Sequence, residues 1–354
     1  MGIKKLNGYL MSSCKIGITK NHLEKLRKKT IVIDTSIYMY RFLKLNLLIE
    51  NFFRMITQCH KYQIHPIFVF DGKPPDEKFQ VLLERFYERK RACKKMENYQ
   101  HQLTDSNNTM TDEEYTMLQQ KIESCKKRMI KVTSKHIQDL QTLFDSMNVE
   151  YIKAVGEADN LCAYLVKQNI AWACVSDDMD MFLYNCPFVI RDWNIQKEEF
   201  HLYDTNIIVQ ELDISREYLP SILLLIGTDY HQVLGNQKTI PIHEAFHVFS
   251  LYCKCKSITL SANNSSTSPN TEKYCIEPFY LWLSEIGKID ASCVEKLLYI
   301  YRMYSIPDSM DCCIQNTGCK YSIQSVNQFN IYDLTSKFNW ETLSILLNPL
   351  GFVF

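Results

Sequence analysis

The 354 residues carry 40 Lys and Arg against 40 Asp and Glu, so a net charge of zero excludes an overall polycation or polyanion. At 46% hydrophobic and 23% charged, the chain has the composition of a folded globular protein, long enough for one large domain or two ordinary ones. Its 14 cysteines are scattered and no targeting pattern opens the chain, which argues against a disulfide scaffold and implies an intracellular, non-secreted protein with reduced thiols.

The most apolar early segment, residues 42–56, is interrupted by Lys44, Asn46, Glu50, Asn51 and Arg54, too polar for a membrane span. Residues 23–29 form a short basic segment. Residues 30–34, TIVID, are a β-branched run ending in an acid and predict a buried strand. Residues 36–60 have helical apolar spacing. Residues 65–71, HPIFVFD, repeat the first pattern and end in Asp71, after which Gly72, Lys73, Pro74 and Pro75 turn the chain.

Residues 76–98 predict a long charged helix dominated by Lys78, Arg85, Arg89, Lys90, Arg91, Lys94 and Lys95. A polar break at 101–110 separates it from a second long helix over 111–147, opened by Thr111 with Glu114 three residues on, a capping box. That helix carries Lys121, Lys126, Lys127, Arg128, Lys131 and Lys135, so residues 76–147 read as a basic helical hairpin. Alone, such a hairpin is a solvated surface feature.

Residues 150–155 predict a third strand. GEAD at 156–159 opens a helix to about residue 168. A fourth strand, 171–176, lies in the stretch WACVSDDMDMFLY, where an apolar run ends abruptly in Asp177, Asp178 and Asp180. Residues 187–192 and 200–203 predict edge strands. Strands alternating with helices from 30 to 190 predict an α/β fold with a mainly parallel sheet. From 215 the chain turns helical: an apolar helix at 218–227 leads into Thr228, Asp229 and Tyr230, another helix covers 241–252, a polar linker covers 261–271, and 274–354 is Tyr- and Leu-rich and helical.

Four successive predicted strands deliver acids: Asp34; Asp71; Glu157 with Asp159; Asp178 with Asp180. Asp229 follows an apolar helix in a glycine turn. A single acid after a strand is usually a cap or turn former, and Asp177 is expected to do that or to face outward. Four strands ending this way place their carboxylates along the edge where open α/β sheets bind ligands. Clustered carboxylates need a counter-charge, and an all-oxygen set suits Mg²⁺, with Mn²⁺ as substitute. Two such ions about 4 Å apart would clamp both oxygens of a phosphodiester displacement. Beside that site, the basic hairpin points to nucleic acid, and Tyr38 or Tyr40 at the rim could stack on an unpaired base.

At these residues the chain resembles the flap endonuclease/XPG family of structure-specific nucleases. The matching pieces are MGI, VIDTSIYMYRF, FVFDGKPP, MIKVTSKHIQDL, GEAD, VSDDMDMF and LLIGTDY, in family order over about residues 1–230, and FNWETLSILLNPLGF resembles the family's last core helix. The resemblance implies a PIN-like nuclease core at 1–230, with a helical arch at about 76–147, and a helical C-terminal region at 231–354 with a degenerate helix-two-turn-helix. It implies metal binding by Asp34, Asp71, Glu157, Asp159, Asp178, Asp180 and Asp229. Lys78 and Arg85 match the basic pair at the scissile phosphate. Tyr40 matches a base-stacking tyrosine, Gly2 the N-terminal glycine packed at the site, and Arg128 and Lys131 contacts of the arch base to the DNA backbone.

The implied activity is Mg²⁺-dependent cleavage of 5′-flapped or branched DNA in replication, repair or recombination, by a monomer in the nucleus or at a cytoplasmic replication site. A 5′–3′ exonuclease or Holliday-junction resolvase is the alternative within the family, and a non-catalytic nucleic-acid scaffold the alternative outside enzymes. Four features depart from the family pattern. Asp159 stands where flap endonucleases have Glu, and the segment between Asp34 and Asp71 is short. VLGNQKTIPIHEAF keeps Gly235 but not the second glycine and its lysines. The sequence ends at Phe354 with no clamp-binding box, so recruitment by a sliding clamp through that route is not expected. Cys253 and Cys255 with Cys275, and Cys312 and Cys313 with Cys319, lack paired zinc spacing and are read as ordinary thiols.

Overall fold

Runs of apolar residues with no polar face must be covered on both sides, and this requirement sets the architecture. In the computed structural model, which describes residues 2–105, 110–235, 238–262, 276–306 and 338–352, seven strands form one sheet. They are β1 (Ile18–His22), β2 (Thr30–Asp34), β3 (His65–Phe70), β4 (Glu150–Lys153), β5 (Ala173–Val175), β6 (Phe188–Asn194) and β7 (Glu199–Asp204). Their order is β1-β7-β6-β5-β2-β3-β4. The run from β6 to β4 is parallel, and β7 and β1 add antiparallel to its edge. The mainly parallel α/β expectation is met. β1 went unread because its sequence, ITKNH, is polar and mostly exposed, with no alternation to detect.

The helices are α1 (Leu6–Ser13), α2 (Thr35–Leu43), α3 (Leu48–Lys61), α4 (Phe79–Asp105), α5 (Asp112–Met129), α6 (Ser134–Ser146), α7 (Ala158–Lys167), α8 (Thr205–Glu211), α9 (Leu219–Ile226), α10 (Ile242–Ala262), α11 (Glu277–Glu285), α12 (Ala291–Tyr304) and α13 (Trp340–Leu347). Strand alternation divides the core. Ile31 and Ile33 of β2 pack with α3, α6 and α13, while Val32 packs with α1, α7 and α9–α12 on the other face. Residue 339, preceding α13, donates its backbone N–H to the Ser146 carbonyl at 2.8 Å, and the buried Leu343 and Leu347 seat α13 beside α6.

Two expected helices are each two. Residues 36–60 break between α2 and α3, where Asn46 turns left-handed (φ 56°). Residues 111–147 break at 130–133, because Thr133 caps α6: it accepts from the His136 backbone and receives the His136 ring on its own N–H. α5 keeps its expected box of Thr111 and Glu114. The first arm runs further than expected. One 3₁₀ turn, Asp76–Lys78, precedes α4, which continues through residues 101–105 of the expected break. Residues 106–109 of that break, most of the 261–271 linker, and Cys275, Cys312, Cys313 and Cys319 lie outside the described residues. Cys253 and Cys255 are exposed on α10. No described helix is long and apolar enough to cross a membrane.

Candidate active site

β5, β2, β3 and β4 are adjacent and parallel, so the acids at their C-terminal ends meet along one edge. The chain leaves β2 for β3 on one side, while β5 enters on the other, which makes this edge a topological switch point. Asp34 caps α2, accepting from the backbone N–H groups of Ser36 (3.1 Å) and Ile37 (3.4 Å). Its second oxygen accepts from Ser176 Oγ at 3.1 Å, and Ser176 Oγ in turn accepts from the Asp178 N–H at 3.2 Å. Asp178 Oδ1 accepts from the Asp180 N–H at 3.1 Å.

Asp71 accepts from the Ala158 N–H at 2.8 Å, tying the end of β3 to the start of α7. That approach depends on Gly72, where a Cβ would run into the carbonyl oxygens of Ala154 and Val155. Asp34, Asp71, Glu157, Asp159, Asp178 and Asp229 then line one cavity of about 210 Å³, with Tyr40, Lys78 and Arg85 in its wall. Asp180 is buried next to Asp178, and the Tyr304 hydroxyl donates to it at 3.2 Å.

Burial dominates the electrostatics. It pushes Asp34 up to about 7, with the charges of Asp71 and Asp178 adding to the shift. It pushes Asp180 up to about 8, with Asp178 next in effect. Asp159 is driven well above the carboxylate range by burial and by Asp34, and Asp178 is also raised by burial. Two cations offset the crowding. Lys78 Nζ donates to Glu157 at 2.6 Å, and Arg85 donates to Asp229 at 3.1 Å. Burial disfavours the Lys78 ammonium, but Glu157, with Asp159 and Asp180, outweighs it and raises the lysine pKa.

Gly2 sits against this cluster. It has φ +74°, and an added Cβ would strike Asp178 Oδ1 and Asp180 Oδ1 and come within 2.9 Å of the Asp180 nitrogen. Tyr38 is fully buried core, whereas Tyr40 reaches the rim. Arg128 lines a second cavity, of about 1000 Å³, at the base of the α4–α5 hairpin, with Tyr40, Arg85, Arg89 and Arg91. Lys131 lies apart, exposed in the 130–133 turn. Asp177 faces away from the cluster, paired with Arg41 at 3.2 Å and capping the Asp192 N–H at 2.8 Å.

Several supporting residues escaped the sequence reading. Tyr230 donates to Glu157 at 3.0 Å, and Tyr304 holds Asp180. Arg191 is 6% exposed; it donates to the Asp177 carbonyl (2.7 Å) and to Asn7 Oδ1 (2.6 Å), bracing the loop of Asp178 against α1. Ser176 and Tyr230 lay inside recognised motifs and were findable there; Arg191 and Tyr304 gave no local signal.

Among the described residues no three His, Cys, Asp or Glu side chains close into a ready cation cage, since the lysine and arginine above hold two of the carboxylates. The donor set nevertheless fits a hard divalent cation. All its atoms are oxygen, and the buried Asp159 Oδ1 and Asp180 Oδ1 have no hydrogen-bond partner among the described residues.

The XPG N-terminal domain family matches residues 1–93 and the XPG I-region family matches residues 148–229. Flap endonuclease 1 of Saccharomyces cerevisiae is 29% identical over 250 residues, 65% of this chain and 61% of the relative. Flap endonuclease 1 of Homo sapiens is 28% identical over 252 residues, 65% of this chain and 62% of the relative. The chain thus spans about three-fifths of the length of these relatives. The fold is shared with the catalytic core of Rad2 in complex with DNA substrate (TM-score 0.58, 21% identity, 99% of this chain and 100% of that one). It is also shared with flap endonuclease-1 from Methanococcus jannaschii (TM-score 0.51, 20% identity, 94% and 98%). The Holliday junction-resolving enzyme GEN1, in complex with product DNA and Mg²⁺, has it too (TM-score 0.59, 17% identity, 98% and 73%). With both XPG regions matched in order and the acids of each gathered on one sheet edge, the chain belongs to the flap endonuclease/XPG family.

Proposed function

We propose that this protein is a divalent-metal-dependent nuclease that hydrolyses a phosphodiester in flapped or branched DNA. The observation that carries the reading is the cavity in which six carboxylates meet Lys78 and Arg85, directly below the basic hairpin. Asp34, Asp71, Glu157, Asp159, Asp178, Asp180 and Asp229 would hold two Mg²⁺ ions, directly or through water. Bound there, the ions would supply an activated water and charge neutralisation at the phosphate. Lys78 and Arg85 exchange their carboxylate partners for the scissile phosphate and stabilise its developing charge. Tyr40 stacks on the base beside the cut, and Arg128 with Lys131 grips the backbone. In this reading residues 1–230 carry the chemistry and 231–354 support the grip on duplex. Flap endonuclease 1 relatives favour a flap as substrate, and the fold of a junction-resolving enzyme keeps a four-way junction in the test.

The test is cleavage of end-labelled 5′-flap, nicked and four-way-junction DNA in Mg²⁺ and in EDTA, with Asp178→Asn as control. Metal-dependent cutting at the flap base, absent in the variant, is the expected result. Cutting of the junction alone moves the substrate, and no cutting of any DNA by folded protein overturns the reading.

A further inference from the structure

The helix α12 lies outside residues 1–230, yet its buried stripe ends at the acids. Val294, Leu297, Ile300 and Tyr304 are spaced i, i+3, i+6, i+10, which puts them on one helix face, and all four are buried. The aliphatic members seat α12 against α9 and α11. Tyr304, 3% exposed, closes the stripe with a hydroxyl, and a buried hydroxyl needs a hydrogen-bond partner. It donates to Asp180 Oδ2 at 3.2 Å, and it also hydrogen-bonds Thr228, the neighbour of Asp229. Its ring stands edge-on to Tyr184 and Tyr230, at 5.0 and 5.4 Å between centroids. Tyr230 in turn donates to Glu157. One tyrosine of α12 therefore touches or braces three of the acid-bearing segments. The same helix reaches the base of the hairpin, where the Tyr299 hydroxyl donates to Glu77 in the turn that carries Lys78.

The two oxygens of Asp180 are used differently. Oδ2 is held by Tyr304. Oδ1 is buried without a hydrogen-bond partner among the described residues. It converges with Asp178 Oδ1, since a Cβ placed on Gly2 would lie 2.5 Å from the first and 2.1 Å from the second. A carboxylate turns easily about its last bond, so either oxygen could face the cluster. A hydrogen bond to one of them fixes which is offered to a cation. We propose that Tyr304 is a positioning residue for metal binding: its hydroxyl holds Asp180 with Oδ1 turned toward Asp178, so a helix of the C-terminal region completes the site. This role rests on the nuclease reading above and gives residues 231–354 a part in the chemistry beyond gripping duplex.

The experiment compares Tyr304→Phe with Tyr280→Phe. The first keeps both ring contacts and removes only the hydroxyl. The second removes another buried hydroxyl of the same region, one that donates to the Ser221 carbonyl at 3.2 Å instead of to an acid. Mg²⁺ is titrated against the melting temperature without DNA, and Mn²⁺ binding is followed by electron paramagnetic resonance. Flap cleavage is then measured over the same Mg²⁺ range at saturating DNA. Tyr304→Phe should need about 10-fold more Mg²⁺ for the half-maximal melting shift and for the half-maximal rate, and should bind Mn²⁺ about 10-fold more weakly. Its KM for DNA should be unchanged, and excess Mg²⁺ should restore most of kcat. Tyr280→Phe should keep the wild-type metal midpoints. A wild-type Mg²⁺ midpoint in Tyr304→Phe, whatever its melting temperature, overturns the role, and so does an equal rise in both variants. A wild type that binds Mg²⁺, with the midpoint raised in Tyr304→Phe, but cuts no flap or junction refutes the nuclease reading and leaves the positioning of Asp180 standing.

Discussion

Raising the pH of the metal-free protein from 6.5 to 8.5 should lower its stability, and Mg²⁺ should restore it. Asp34 and Asp180 have folded-state pKa values of about 7 and about 8, both above the ordinary 3.8. An acid whose pKa is raised by folding binds more protons in the folded than in the unfolded chain. Its stabilising proton is present below the folded pKa and is lost as pH rises through it. At about 1.4 kcal/mol per pH unit per proton, the two groups lose roughly 2–3 kcal/mol over this window. That is on the order of 5 °C in melting temperature for a chain of this size. The buried His60 and His65, with pKa values of about 4, are neutral in the folded protein throughout, and the loss of their unfolded-state protons above pH 6.5 offsets less than about 1 kcal/mol of this change. Glu150, pushed up to about 7 by burial at the start of β4, contributes with the same sign. Glu150→Gln should therefore remove part of the slope and leave the Mg²⁺ response intact.

The assay is thermal unfolding in EDTA at pH 6.5, 7.5 and 8.5, repeated with millimolar Mg²⁺. Asp34→Asn and Asp180→Asn should flatten the EDTA profile and weaken the gain from Mg²⁺. A flat profile in EDTA for wild type, or the same slope in both Asn variants, would refute the argument that buried carboxylate repulsion is stored at this edge.

Three further outcomes follow from the site. Lys78→Ala with Arg85→Ala should reduce turnover far more than DNA affinity; equal losses would mean that the pair only grips backbone. Gly2→Ala should lower activity at least tenfold with a melting temperature within about 2 °C of wild type, because the methyl collides with Asp178 and Asp180 while the chain end can swing away; unchanged kcat would remove Gly2 from the site. Arg191→Leu should destabilise by about 3 kcal/mol by leaving the Asp177 carbonyl without its donor, and should raise the Mg²⁺ concentration needed for half-maximal rate. Arg191→Lys should recover part of both, and a stability loss without the metal effect would reduce Arg191 to a packing role.

Asp34, Asp71 and Asp178 were legible in the sequence because each follows a short apolar strand, and Glu157 with Asp159 because GEAD opens the helix after one, patterns set by neighbours a few residues apart. Thr30–Asp34 is an observed strand with the expected bounds, and Asp34, Asp71, Glu157, Asp159 and Asp178 all reach the cavity. The capping box at Thr111 was equally local. The break at 130–133 was missed because α5 and α6 each keep helical periodicity, and only the Thr133 cap marks the boundary.

Strand order decided the rest. Local pattern cannot say that β5 lies beside β2 and β2 beside β3, and that adjacency alone turns four separate strand ends into one buried cluster. Nor can it foresee Lys78 on Glu157, Arg85 on Asp229, Tyr304 on Asp180 or Arg191 on the Asp177 carbonyl, partners 14 to 144 residues apart. The sequence determined by itself the strands that carry the acids, since these depend on apolar runs within a few residues, whereas the polar β1 escaped it. Only the packed sheet set those acids against one another. Burial and like charge act through space, so the raised pKa values and the two basic counter-charges exist only once the chain has closed around them.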